Sequence, residues 1–319
     1  MPSRLLLDPW PPDYDSAVQI DEQEPQLEAQ VDITVETLNW QAIRYDGSES
    51  IPSICFVDGV RRVEARVISQ ESDQVVYGLF GSAGVGSVFR RDGVAQLESL
   101  TIKRYLILGR GSIRSEQIRI GECTLNFEGI STAATSPLEV LAELQNLMRT
   151  AEAQLGQTLL SDDACVFADG PLSYFSTATQ ALVGIIKRIH RLYLPSGCLS
   201  LLSQLGPSER TPLFSIRDGK YDRYSCYLRL VQPQQVEHPL AGIVRLEVRA
   251  AIGLEKSLRL INYASSELPK FASSPIRDPR APQNLVPVGA LEEELRRRLG
   301  DAVLVRRAIE NRIYEGVQV

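Results

Sequence analysis

Two segments, 111 residues apart, carry the same pattern: Ile54-Cys55-Phe56-Val57-Asp58-Gly59 and Cys165-Val166-Phe167-Ala168-Asp169-Gly170. Each is a short apolar run ending in Asp-Gly. Such a run reads as a buried strand, and the glycine allows a sharp bend after the carboxylate. Two such strands would bring two carboxylates to the ends of one sheet, a usual way to hold a hard divalent cation for phosphate chemistry. Asp92-Gly93 and Asp218-Gly219 are controls: they lie among Arg90, Arg91, Arg217 and Lys220 and read as hairpin turns.

Two aspartates hold a metal poorly, so a third carboxylate is expected from a packed helix. Helical periodicity places Leu141, Leu144, Met148, Ala151 and Leu155 on one apolar stripe. Glu139 and Glu143 fall opposite it. Glu152 falls about 40° from Met148, at the edge of the packed face. A carboxylate there is costly unless it meets a metal or a cation, and Arg149 is the alternative partner. Glu64 is the rival third ligand, but its alternation with Arg62 and Arg66 puts it on the wet face.

Other candidates are weaker in chemistry. Lys187 lies away from a Leu182/Ile185/Ile189 helical stripe and reads as a solvated or DNA-facing lysine, with His190 on the same polar side. Arg296-Arg297-Arg298 and Arg306-Arg307 read as solvated helix faces, or as phosphate contacts in a nuclease. Gly81-Ser82-Ala83-Gly84-Val85-Gly86-Ser87 has no following lysine or helix and reads as a flexible hairpin tip rather than a phosphate loop.

The elements that must position these residues follow from pattern. With 319 residues, 44% hydrophobic and 23% charged, the chain can bury a substantial core. Residues 1–34 form an irregular arm, rich in proline and acid over residues 1–30, and 35–319 form the main domain. Alternating runs at 62–67, 75–80, 102–108 and 117–120 predict an antiparallel meander. A helix is predicted from Pro137 to Leu155, capped by Ser136, and a second from Thr177 to Leu194, ended by Pro195. Strands at 224–231 and 243–250, a helix at 255–263 and a charged helix from Ala290 to Leu299 complete an α/β fold with a mixed sheet.

Composition narrows the functional classes. No apolar run approaches 18 residues and no signal-like leader opens the chain, so neither a membrane span nor secretion is expected. Five cysteines without Cys-x-x-Cys spacing fit a reducing cytoplasm. Only His190 and His238 are present, which argues against histidine-rich zinc sites and a Ser-His-Asp triad. A net charge of −6 argues against nonspecific coating of nucleic acid.

Taken in order, Phe56-Val57-Asp58-Gly59-Val60-Arg61-Arg62, Arg149-x-x-Glu152, Phe167-Ala168-Asp169-Gly170-Pro171-Leu172 and Gly184-x-x-Lys187 resemble the successive motifs of NurA nucleases. Arg223–Leu230 and the closing Pro-rich segment continue the similarity, which covers roughly residues 35–310. The resemblance implies an RNase H-like fold of a mixed sheet flanked by helices. It implies a manganese- (or magnesium-) dependent DNA nuclease, a homodimeric ring that docks on a hexameric HerA-type ATPase to resect DNA ends in repair. It also implies Asp58, Glu152 and Asp169 as metal ligands.

One departure stands out. Many members of that family carry a histidine near the C-terminal motif, whereas here none follows His238. Arg277, Asp278, Arg280 or Asn284 would have to take its place, with Arg277, Arg280 and Asn284 expected beside the carboxylates as phosphate contacts and Arg280 as a catalytic group. The alternative is a weakened ring that binds DNA and the ATPase without cutting. A haloacid-dehalogenase-like phosphatase is excluded, because it needs a second Asp two residues on, where this chain has Val60 and Pro171.

Overall fold

The structure, a computed structural model, describes residues 5–7, 29–47, 53–71, 74–91, 93–160, 164–176, 181–189, 191–219, 221–234, 237–274, 276, 278 and 281–315. The strands in the first half are β1 (Leu5–Leu7), β2 (Gln30–Asp32), β3 (Ile43–Arg44), β4 (Ser53–Glu71), β5 (Gln74–Arg91), β6 (Val94–Leu108), β7 (Glu116–Ile120) and β8 (Cys123–Ser131). Helix α1 (Pro137–Thr158) follows, then β9 (Ala164–Asp169), β10 (Leu182–Ile186), α2 (Ser196–Gln204), β11 (Glu209–Arg210), β12 (Phe214–Arg217), β13 (Arg223–Arg229) and β14 (Ile243–Arg249). Helices α3 (Leu254–Glu267), α4 (Val286–Leu299) and α5 (Ala302–Glu315) close the described chain.

The described strands form one mixed sheet along the order β2-β12-β13-β14-β10-β9-β4-β5-β6-β8-β7. Side-chain alternation assigns its two faces. Cys55, Val57 and Val166 pack with Ala153 of α1, while Ile54, Phe56, Cys165 and Phe167 pack with α3 and α4. The expected mixed α/β architecture with flanking helices is therefore present. Parts of the arm expected to be irregular form β1, which pairs with β4, and β2, which pairs with β12.

The two repeated segments are neighbours. Strands β4 and β9 run parallel, with Ile54 opposite Cys165, Phe56 opposite Phe167 and Val57 opposite Ala168. The sequence repeat is thus a spatial register. Beyond Val57 the pairing stops, and β4 next meets a strand on that edge only at Val67, opposite Leu7 of β1. From 58 to 66 that edge has no strand partner among the described residues.

Several expectations are corrected here. Asp58-Gly59 is not a strand end: β4 continues through it to Glu71, absorbing the separate strand predicted at 62–67. Asp169-Gly170 is a true junction, with Gly170 at φ +114, a left-handed backbone that favours glycine. The stretch 81–87 is no hairpin tip but the buried middle of β5, where Gly86 faces Asp58 and leaves room for Leu100 and for Leu291 of α4. Gly93 and Gly219, at φ +80 and +77, do occupy hairpin turns as expected.

The helix predicted over 177–194 is instead β10, between β9 and β14. Leu182-Val183-Gly184-Ile185-Ile186 is buried throughout, and a fully buried strand has no alternation to distinguish it from a helix by period. Helix α1 forms as predicted: Ser136 and Glu139 make a reciprocal capping box, and Pro137 occupies the first turn.

Glu64 is not on a wet face. A bulge between Val63 and Ala65 turns it inward, where it is 2% exposed. It binds Arg62 at 2.9 Å and accepts from Ser82 Oγ at 2.6 Å, with Arg104 3.5 Å away. Those arginines donate to the Leu299 and Gly300 carbonyls, capping the negative end of α4. Removing one partner of a buried ionic group leaves uncompensated charge. Glu64→Ala should therefore lower unfolding free energy by about 3 kcal/mol in urea titrations; a loss below about 1 kcal/mol, the value of an exposed pair, would contradict this assignment.

Candidate metal centre

Asp58 and Asp169 project from the α4 side of adjacent strands at the point where their pairing ends. Helix α4 supplies a third carboxylate that the sequence reading missed, Glu292. One oxygen from each of Asp58, Asp169 and Glu292 lies within 4.8 Å of the others. Asp58 is 3% exposed, and its Oδ2 is fully buried with no hydrogen-bond donor among the described residues.

Glu292 was legible by the argument used for Glu152. It lies four residues after Val288 and three before Leu295, on the flank of the stripe that α4 buries against the sheet. The expected helix start at Ala290 hid that phase, because α4 begins at Val286. Arg296 donates to Glu292 Oε2 at 3.2 Å, one turn on. The Arg296–Arg298 and Arg306 side chains pair with glutamates of their own helices, as solvated faces do.

Glu152 approaches from the opposite face. A Cβ on Gly59 would lie 2.6 Å from Glu152 Oε1, so this glycine serves close approach rather than a turn. Glu152 makes the salt bridge weighed as the alternative to a metal: Arg149 Nη1 donates to its Oε2 at 2.8 Å, while its charge also bears on Asp58. The same Arg149 nitrogen donates to the Asp169 carbonyl at 2.7 Å, tying α1 to the end of β9.

Burial, then the charges of Asp169 and Glu152, holds the Asp58 carboxyl well above the usual carboxylate range, with Lys187 opposing the shift. A buried acceptor without a donor, surrounded by like charges, fits a divalent cation. Oxygen donors alone suit Mg²⁺ or Mn²⁺.

Lys187 is not a solvated lysine. Because β10 is a strand, the helical phase does not apply, and Lys187 Nζ lies 2.8 Å from Asp169 Oδ1. Nζ also donates to Asn284 Oδ1 at 2.8 Å, and Asn284 Nδ2 donates to Asp278 Oδ2 at 2.5 Å. Asn284, 2% exposed, is therefore placed to aim Lys187. Asn284 and Asp278, the described residues of the Pro-rich segment in this chain of contacts, reach the carboxylates through Lys187. Arg277, Arg280 and His190 lie outside the described residues.

A family described as the NurA domain matches residues 52–288. Among solved structures, the NurA nuclease from Sulfolobus solfataricus is similar at 10% identity, covering 82% of this chain and 86% of that one, with a TM-score of 0.46. No curated protein sequence matches.

The raised pKa of Asp58 carries a sign. Its folded-state value exceeds the unfolded one, so its contribution to stability is fullest below about pH 4 and is lost as pH rises through the folded value. In EDTA at pH 7, Asp58→Asn should therefore melt a few degrees above the parent, and the gap should narrow toward pH 4. Mn²⁺ should raise the parent's Tm more than the variant's. A variant that melts below the parent at pH 7 would show that the carboxylates do not repel.

Proposed function

The chain belongs to the NurA family and is a nuclease, and we propose that it hydrolyses DNA phosphodiesters with divalent cations, Mn²⁺ or Mg²⁺, held by Asp58, Asp169 and Glu292. The observation that carries this reading is the convergence of those three carboxylates within 4.8 Å around the buried Asp58 oxygen. Glu152 is a fourth ligand candidate from the opposite face. When bound, a pair of cations supplies an activated water and stabilises the leaving oxygen.

The protein's own groups orient that chemistry. Arg149 fixes Glu152 and the end of β9 through one nitrogen. Lys187 holds one oxygen of Asp169 and is itself held by Asn284, which donates to Asp278. An ammonium has three donors; two are engaged by Asp169 and Asn284, leaving one for a phosphate oxygen of the scissile strand. Arg277 and Arg280 flank Asp278 in sequence and are proposed as further phosphate contacts, with Arg280 stabilising charge during cleavage.

By family resemblance, the proposed setting is DNA end resection in the cytoplasm by a homodimer docked on a hexameric HerA-type ATPase. The larger part of the N-terminal arm proposed as a docking element, residues 8–28, lies outside the described residues. No described helix is long and apolar enough to cross a membrane. The absence of histidine after His238 favours one alternative, a ring that binds DNA and the ATPase without cutting.

Labelled linear DNA with Mn²⁺ or Mg²⁺ separates the two readings. The parent should degrade it, and Asp58→Ala, Asp169→Ala and Glu292→Ala should each lose more than about 100-fold in rate, since even outer-shell partners of metals are worth 10–100-fold. Arg280→Ala should weaken cleavage more than binding. A folded parent that binds DNA but never cuts it establishes the non-cutting ring. Light scattering should give a dimer mass, and a monomer that ignores a HerA-type partner would remove the assembly proposal.

A further inference from the structure

Arg61 is a guanidinium whose charge the fold leaves unbalanced. Its alternation on β4 places it on the α1 face, where its Nε donates to the neutral Gln145 Oε1 at 2.5 Å. No carboxylate pairs with it among the described residues. Its neighbour on that face is another cation: burial and the charge of Arg149 both lower the pKa of Arg61. The nearby arginines are disposed differently. Arg62 and Arg104 share Glu64, and Arg149 binds Glu152. Glu152 answers the charge of Arg149 but not that of Arg61, and a guanidinium partly withdrawn from water beside another cation destabilises a fold unless an anion joins it.

The position of the pair identifies the anion. Arg61 lies in the stretch of β4 that has no strand partner, three residues beyond Asp58. Arg149 closes the other side of that gap, packed against the junction after Asp169: a Cβ on Gly170 would lie 3.4 Å from both of its terminal nitrogens. A strand that entered this gap to bring a phosphate to the carboxylates would have these guanidiniums on the α1 side and Lys187 on the α4 side. We propose that Arg61 and Arg149 form a preformed subsite for a backbone phosphate of bound DNA, next to the one being cut. Two guanidiniums offer the planar fork that matches phosphate oxygens. The identity of the ligand rests on the nuclease reading.

Arg61 is the residue to test, because Arg149 also positions Glu152. DNA binding would be measured in EDTA in a non-cleaving Asp58→Asn background, from about 50 to about 200 mM NaCl. Adding Arg61→Gln should weaken binding roughly tenfold and reduce the slope of log affinity against log salt by about 0.7–0.9, the value of one phosphate contact. Arg61→Lys should keep the slope. In phosphate-free buffer Arg61→Gln alone should melt no lower than the parent, and inorganic phosphate should raise the parent's Tm more than the variant's.

Unchanged affinity and slope in Arg61→Gln would overturn the subsite, as would a variant that melts lower or fails to fold, which makes Arg61 structural. A background protein that binds no DNA while the parent cuts it would also overturn it, since a preformed subsite needs no metal. A parent that neither binds nor cuts DNA would instead defeat the nuclease reading, and the ligand assignment with it.

Discussion

The parallel pairing of β4 with β9 stops at Val57 and Ala168 while β4 itself runs on, and that mismatch of strand lengths governs the rest of the molecule. In open α/β sheets a crevice forms where neighbouring strands end. Here one wall of the crevice is the unpaired edge of a continuing strand, which provides a rigid support. Asp58 is held within β4 rather than on a mobile loop, and Asp169 stands beside it at the last residue of β9. The helices complete the arrangement from opposite faces, α4 with Glu292 and α1 with Glu152.

Such a collection of carboxylates opposes folding, and the surrounding network shows how the opposition is contained. Lys187 and Arg149 neutralise charge from two sides without filling the space around Asp58 Oδ2. Glu64, Arg62 and Arg104 secure the end of α4 two turns from Glu292, so the helix cannot relieve the repulsion by withdrawing. Stability is given up at the crevice and recovered in buried ionic contacts elsewhere, a division usual for sites that hold a ligand the empty protein lacks.

The parts of this arrangement legible in sequence were those with an unambiguous period or punctuation. The repeated Asp-Gly runs were readable as buried strands because four apolar residues followed by a carboxylate have few other solutions. Helix α1 was readable from the Ser136-Pro137 start and the Leu141/Leu144/Met148 stripe. Strand β10 was not, since a fully buried strand and a helix segment share the same composition. Glu64 was misplaced because a one-residue bulge reverses facing, and no local residue type announces it. Glu292 was hidden by a helix start placed four residues late, and Lys187 by the mistaken helix around it. Asn284 was expected beside the carboxylates as a phosphate contact, and its hydrogen bond to Lys187 was not foreseen because that lysine was read as lying on a helix.

The four carboxylates are contributed by residues 58, 152, 169 and 292, with most of the chain lying between the first and the last. During translation both aspartates and Glu152 emerge well before α4, so a nascent chain holds an incomplete ligand set until that helix has left the ribosome. Premature termination or proteolysis upstream of α4 would leave Asp58, Glu152 and Asp169 without the carboxylate that meets the two aspartates on the α4 side.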